Sequence, residues 1–150
     1  MDTHKPSQGS LVAVSISARK GERKQPVAEA ELVVDHGLIG DAHAGPWHRQ
    51  VSLLGLESIA TMQKLGLTVT CGDFAENLTT EGVSLPELAI GSCLAIGPCL
   101  LEITQIGKEC HAHCAIYQQA GDCVMPREGI FAKVLRGGIV RAGDRVEPLA

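Results

Sequence analysis

Aromatic residues are scarce in this chain, with two Phe, one Tyr and one Trp among 150 residues. A core with so few rings must be aliphatic. Positive charge is also in deficit: 13 Lys and Arg face 17 Asp and Glu, for a formal net charge of −4. That balance argues against a nucleic-acid binder, which needs a basic face to displace counterions. The basic cluster "RKGERK", Arg19 to Lys24, reads as a solvated loop, or as a contact for an anionic ligand if a cleft lies beside it. No run approaches the ~18 apolar residues of a membrane span. Nothing behind the polar start "MDTHKPSQGS" has the length of a signal-peptide apolar region. These absences lead to the expectation of a cytoplasmic protein that uses neither membrane nor nucleic acid.

Glycine and cysteine are plentiful. Seventeen glycines in 150 residues exceed the ~7% average, and they punctuate short Val/Ile/Leu runs in the manner of a β-rich domain with many tight turns. The length suits one domain with a sizeable core, with residues 1–10 as a flexible N-terminal segment and residues 11–150 as the domain. Strands are expected at "LVAVSISA" (Leu11–Ala18), "AELVVDHG" (Ala30–Gly37) and "RQVSLLG" (Arg49–Gly55). "LESIATMQKLG" then follows a helical pattern, with Leu56, Ile59, Ala60 and Gln63 on one face, Met62 and Leu65 alongside, and Gly66 as the stop. The near-repeat "AIGSCLAIGPCL" reads as a hairpin or bulged corner, with Cys93 and Cys99 as small buried hydrophobes. "GIFAKVLRGG" is expected to form a further short helix, and "IVRAGDRVEPL" a last hairpin turning at Gly143-Asp144. The expected architecture is a mostly-β, closed or partly open barrel with two or three short helices.

Three polar segments interrupt the apolar pattern. "GLIGDAHAG" sets Gly37, Gly40 and Gly45 around Asp41 and His43, and glycines at that density let the backbone approach a ligand closely. The phosphate-loop fingerprints GxGxxG and GxxxxGK[ST] are missing, so no nucleotide is implied. "CGDFAENLTTEG" carries Glu76 and Asn77, a pair suited either to tying down loops through backbone hydrogen bonds or to touching a ligand. "GKECHAHCAIYQQAGDC" holds Cys110, His111, His113, Cys114 and Cys123 within seventeen residues. In a reducing compartment such clustering points to metal or catalysis rather than to disulfides. A zinc module held by Cys110, His113, Cys114 and Cys123 is one reading. A reactive thiolate favoured by neighbouring cations such as Arg127 is the other.

Taken in order, "GLIGDAHAG", "RQVSLLGLES", "GDFAENLTTEG", "LAIGPCLLEITQIG" leading into a cysteine, and "REGIFAKVLRGGIVRAGDRV" resemble the MOSC domain, named after the C-terminal part of molybdenum cofactor sulfurases. The likeness is to the small stand-alone prokaryotic form. The resemblance implies a β-barrel and a cysteine that binds or carries sulfur and metal for the molybdenum cofactor, a molybdopterin. By position Cys110 is the first choice and Cys114 its rival, as catalytic thiol and as metal ligand. This chain has Glu109 where a proline usually precedes the key cysteine. The cofactor-binding residues expected on this footing are Gly40, Asp41, His43, Gly45, Arg49, Asn77 and Arg127. Molybdenum-ion binding, pyridoxal phosphate binding, sulfur carriage and catalytic activity also follow from the resemblance. So does a partner protein, from molybdenum cofactor biosynthesis or a redox chain. Whether the domain is a sulfurtransferase, a molybdenum-cofactor-dependent catalyst or only a carrier stays open at this point.

Overall fold

The structure is a computed structural model, and it describes residues 8–20, 22–107 and 128–149. Seven strands close into a barrel: in barrel order they are β11 (Arg145–Leu149), β7 (Cys93–Ile96), β8 (Cys99–Ile106), β9 (Ile130–Arg136), β5 (Val51–Gly55), β6 (Leu78–Glu81) and β1 (Gly9–Ile16), with β11 pairing back onto β1. A short β2 (Gln25–Val27) adds to β1, and β3 (Glu29–Val33), β4 (Gly37–Leu38) and β10 (Gly138–Arg141) form a separate three-stranded sheet. Closure satisfies the backbone groups that an open sheet would leave at its edges. It works here because β1 divides one edge between two partners: Gly9 and Ser10 face β11, while Val14 to Ile16 face β2.

β5 shows most directly why these residues make a strand. All five of its residues are buried. Val51 and Leu53 point into the barrel core, whereas Leu54 belongs to a second cluster with Ile59, Met62, Val69, Phe74 and Phe131 under the helix. A strand covered on both faces carries no polar alternation. The chain then enters α1 (Leu56–Lys64) directly and returns as β6, parallel to β5, so that the helix is the crossover that a parallel pair requires. α1 buries Ile59 and Met62 as expected. Leu65, expected beside them, is 58% exposed, because the helix has already ended at Lys64.

Several expectations need correction. "GIFAKVLRGG" is not a helix but β9, paired on one side with β8 and on the other with β5. Ile130, Ala132 and Val134 fill the core while Phe131 joins the cluster under α1. Both faces are covered, and a short, two-sided apolar run is ambiguous between helix and strand by periodicity alone. The described residues therefore hold one α-helix and a 3-10 turn at Leu85–Glu87. "IVRAGDRVEPL" does turn at Gly143-Asp144, but its two strands do not pair with each other. β10 joins β3, whereas β11 joins β7 and β1. "AELVVDHG" is split into β3 and β4 by a turn in which Asp35 takes φ 59°. The first strand begins at Gly9 rather than Leu11. The hairpin at "AIGPC" is borne out: β7 and β8 are antiparallel with Ile96 opposite Cys99, and Gly97 takes φ 52° in the turn. Cys99 is fully buried, but Cys93 is only partly so.

Candidate functional site

The glycine loop Gly37 to Gly45 is held from below by one carboxylate. Asp41 Oδ1 accepts the Ser17 N–H at 3.1 Å and the Lys24 ammonium at 2.8 Å, and its Oδ2 accepts the His43 N–H at 3.1 Å. Burial alone would raise the Asp41 pKa. The Lys24 hydrogen bond, the Ser17 N–H, the charge of Lys24 and the His43 N–H together outweigh it and hold the carboxyl below its ordinary 3.8. Backbone bonds add to the attachment, among them Ala42 N–H to Ser17 O at 2.8 Å, Gly45 N–H to His36 O at 2.7 Å and Ile39 N–H to Glu31 O at 3.0 Å. A Cβ at Gly37 would lie 2.5 Å from the Gln50 carbonyl oxygen at φ 115°, so this glycine is required by close packing. Gly40 is different. Among the described residues its Cβ would meet only Ile16 Cδ1, at 3.7 Å.

Lys24 is the member that the sequence hides. It closes the basic cluster "RKGERK" yet is fully buried, which corrects its assignment to a solvated loop. Its Nζ reaches Asp41 Oδ1, Ser17 Oγ at 3.0 Å and His43 Nδ1 at 3.0 Å. No local signal marks it, because its partners come from the end of β1 and from the glycine loop.

A rim of polar side chains continues from this anchor. The Trp47 indole N–H donates to the His43 carbonyl at 2.8 Å, and the Lys20 ammonium sits 5.3 Å from the Trp47 ring centre. Trp47 and His48 meet edge to face. Gln105, near the end of β8, gathers the next residues: its Oε1 lies 3.0 Å from His48 Nε2 and accepts the Arg49 Nε–H at 3.0 Å. Thr104 Oγ1 donates to the His48 carbonyl. The Arg49 guanidinium also lies over Phe131, 5.0 Å from the ring centre. Gln105 Nε2 in turn donates to the Gly107 carbonyl at 2.7 Å, and the Gly107 N–H donates to Gly129 O at 2.6 Å. This last bond brings together the two points where the cysteine segment leaves and rejoins the barrel.

Of the residues expected to form the site, Gly40, Asp41, His43 and Gly45 share one loop, and Arg49 joins it through the rim. Asn77 lies in the layer beneath, fully buried. Its Oδ1 accepts the Ser52 N–H at 3.0 Å, and its Nδ2 donates to the Ser15 carbonyl at 3.1 Å. Glu76 beside it accepts Gly72 N–H at 2.8 Å, Phe74 N–H at 3.2 Å and the Thr79 hydroxyl at 2.7 Å. Burial raises the Glu76 pKa above its ordinary value despite these donors. Cys110, His111, His113, Cys114, Cys123 and Arg127 lie outside the described residues. Among the described residues no group of three or more His, Cys, Asp or Glu is arranged to hold a metal ion. Lys24, Ser17, His48 and Gln105 are site residues that sequence reading missed. A separate cleft of about 490 Å³ beside α1 is lined by Glu57, Ser58, Gly82, Leu85 and Glu128 among others, and by none of the expected site residues that are described.

No helix among the described residues is long and apolar enough to cross a membrane. The chain is similar to several solved structures. The YuaD protein from Bacillus subtilis superposes with a TM-score of 0.76 at 17% identity, over 93% of this chain and 94% of that one. YiiM from Geobacillus stearothermophilus gives 0.69 at 19%, over 95% and 75%. YiiM from Escherichia coli gives 0.68 at 18%, over 97% and 71%. At these identities the likeness concerns the fold. No curated protein matches the sequence. Residues 40–147, however, match the MOSC domain, from the glycine loop through the rim to the last barrel strand. With that match covering well over half of the chain, the protein belongs to the MOSC domain family.

Proposed function

We propose that this protein is a molybdenum-cofactor-binding or sulfur-carrying domain whose working group is a thiolate of the cysteine segment, Cys110 first and Cys114 second. The supporting observation is the rim: Gln105 ties His48, Arg49 and Gly107 together where the cysteine segment is attached. Cys110 follows Gly107 by three residues, and three residues of extended chain reach at most about 11 Å. The described donors fit an anionic, polar-edged ligand. Arg49, His48 and Lys20 supply cationic or hydrogen-bonding edges, and the glycine loop supplies backbone that a ligand can approach at Gly40. The acid-lined cleft beside α1 suits such a ligand poorly, since Glu57 and Glu128 would repel its phosphate.

Bound molybdenum cofactor would supply two-electron redox chemistry, and a thiolate is a soft ligand for its metal. This chain's own residues would hold the phosphate and pterin edges, set the position of the cysteine segment, and keep the loop fixed through Asp41. Pyridoxal phosphate, the other cofactor the resemblance implies, would not find its amine in Lys24, which is enclosed and held by Asp41. A partner from molybdenum cofactor biosynthesis or a redox chain belongs to the same proposal.

The test is metal and pterin content after purification without oxygen, on wild type and on Cys110→Ser, Cys114→Ser and Cys123→Ser. Loss of loading in Cys110→Ser, weakening in Cys114→Ser and near-normal loading in Cys123→Ser are expected. Stoichiometric zinc without pterin would replace this reading with a zinc module held by Cys110, His113, Cys114 and Cys123.

A further inference from the structure

The three contacts of Lys24 have a consequence for His43 that does not depend on any cofactor. An ammonium has three N–H donors and no lone pair. The Lys24 side chain is completely enclosed, as is its partner Asp41, so each of these donors needs an acceptor within the protein. Three groups stand at hydrogen-bond distance: Asp41 Oδ1 at 2.8 Å, Ser17 Oγ at 3.0 Å and His43 Nδ1 at 3.0 Å. The Ser17 hydroxyl proton is already directed to the Arg19 carbonyl at 3.0 Å, which leaves its oxygen to accept. Asp41 forms an ion pair with Lys24 at 2.8 Å, in which the lysine is the donor. What remains for His43 Nδ1 is to present a lone pair. A proton there would set two N–H groups against each other at 3.0 Å.

We propose that Lys24 is a positioning residue that fixes His43 as the Nε2–H tautomer, so that its other ring nitrogen is a hydrogen-bond donor and not a metal ligand. Histidines that bind metal generally use one nitrogen for the metal and donate the N–H of the other to a carboxylate, carbonyl or water. Here the arrangement is reversed, because the second nitrogen faces a donor. Asp41 Oδ2, 3.9 Å from Nδ1, is too far away to take a proton from it, and already accepts the His43 backbone N–H. The Trp47 indole holds the His43 carbonyl and so fixes the backbone at this residue.

The experiment is long-range ¹H–¹⁵N NMR of the imidazole nitrogens in the full, metal-free chain at neutral pH. His43 is assigned by its loss in His43→Gln. The expected spectrum shows Nδ1 unprotonated and Nε2 protonated, and in Lys24→Met the same ring shifts to a mixture of tautomers. Adding Zn²⁺ should leave the His43 Nε2 proton in place even if other histidines respond. A wild-type spectrum with Nδ1–H, with both nitrogens protonated, or with zinc on His43 would overturn the proposal. So would an unchanged tautomer in a folded Lys24→Met. Should that variant fail to fold, the wild-type spectrum and the zinc titration decide alone. None of these readouts involves molybdenum or pterin, so the cofactor proposal can fail without this one, and this one without it.

Discussion

Lys24→Met would test the buried anchor most directly. Methionine keeps the length and apolar stem of lysine but removes the ammonium, and Asp41 then stays fully enclosed with only the Ser17 and His43 N–H groups as donors. Breaking one side of a buried ion pair costs about 3–5 kcal/mol, since the remaining charge is left without compensation. In a domain of this size each kcal/mol lowers Tm by about 2–4 °C, which places the expected drop at about 6–20 °C. Urea unfolding monitored by circular dichroism gives the free energy, and calorimetry gives Tm. Asp41→Asn and the Lys24→Met/Asp41→Asn double variant complete a cycle, in which the double variant should lose markedly less than the sum of the singles. The pair also sets acid sensitivity. The folded pKa of Asp41 lies below its unfolded 3.8, so its stabilisation is complete above that value and disappears as pH falls through the lower, folded one. The double variant should therefore lose less stability than wild type on acidification in that range. A Lys24→Met protein within about 1 kcal/mol of wild type, the value of an exposed pair, together with additive effects in the cycle, would refute this account of the anchor.

Three further outcomes are expected. Gly72→Ala should be far more damaging than Gly40→Ala. The Gly72 Cβ would lie 2.2 Å from the Lys24 carbonyl oxygen, whereas at Gly40 the cost is mainly the left-handed φ of 87°, about 1–2 kcal/mol, as urea melts would show. Cys99, whose thiol pKa is pushed up to about 11 by burial and by Asp144 against the opposing pull of Arg136, should resist iodoacetamide at pH 8 in the folded protein while Cys71 and Cys93 react; peptide mass spectrometry showing equal rates would contradict this. Glu76 contributes stability that is present below its unfolded value of 4.5 and lost as pH rises through the raised folded pKa, so Glu76→Gln should flatten the stability profile across that window in denaturation melts run at a series of pH values.

Much of the barrel is legible in the chain because strands announce themselves locally. Glycine-bounded aliphatic runs predict β1, β5 and the β7–β8 hairpin, and the spacing of Ile59 and Met62 predicts α1. Glu76 and Asn77 are likewise readable as polar residues at a strand start, and the structure gives them the backbone-tying bonds considered from sequence. The resemblance of the ordered motifs to the MOSC domain agrees with the family match. β9 escapes a local reading because its start, Ile130 to Ala132, is buried on both faces, and only its two neighbours, β8 and β5, make it a strand. The same holds for Gly143-Asp144, where a local turn leads to strands whose partners lie elsewhere in the chain. Lys24 is the extreme case. In sequence it is one cation in a basic cluster, indistinguishable from Arg23, which remains about half exposed beside Asp73. It becomes the buried centre of the site only when β1 delivers Ser17 and the glycine loop delivers Asp41 and His43 to the same point. Backbone propensity acts over a few residues, so the chain itself specified strands, turns and the helix. Desolvation and charge pairing act through space, and only the closed barrel decided which lysine lost its water and which histidine it faces.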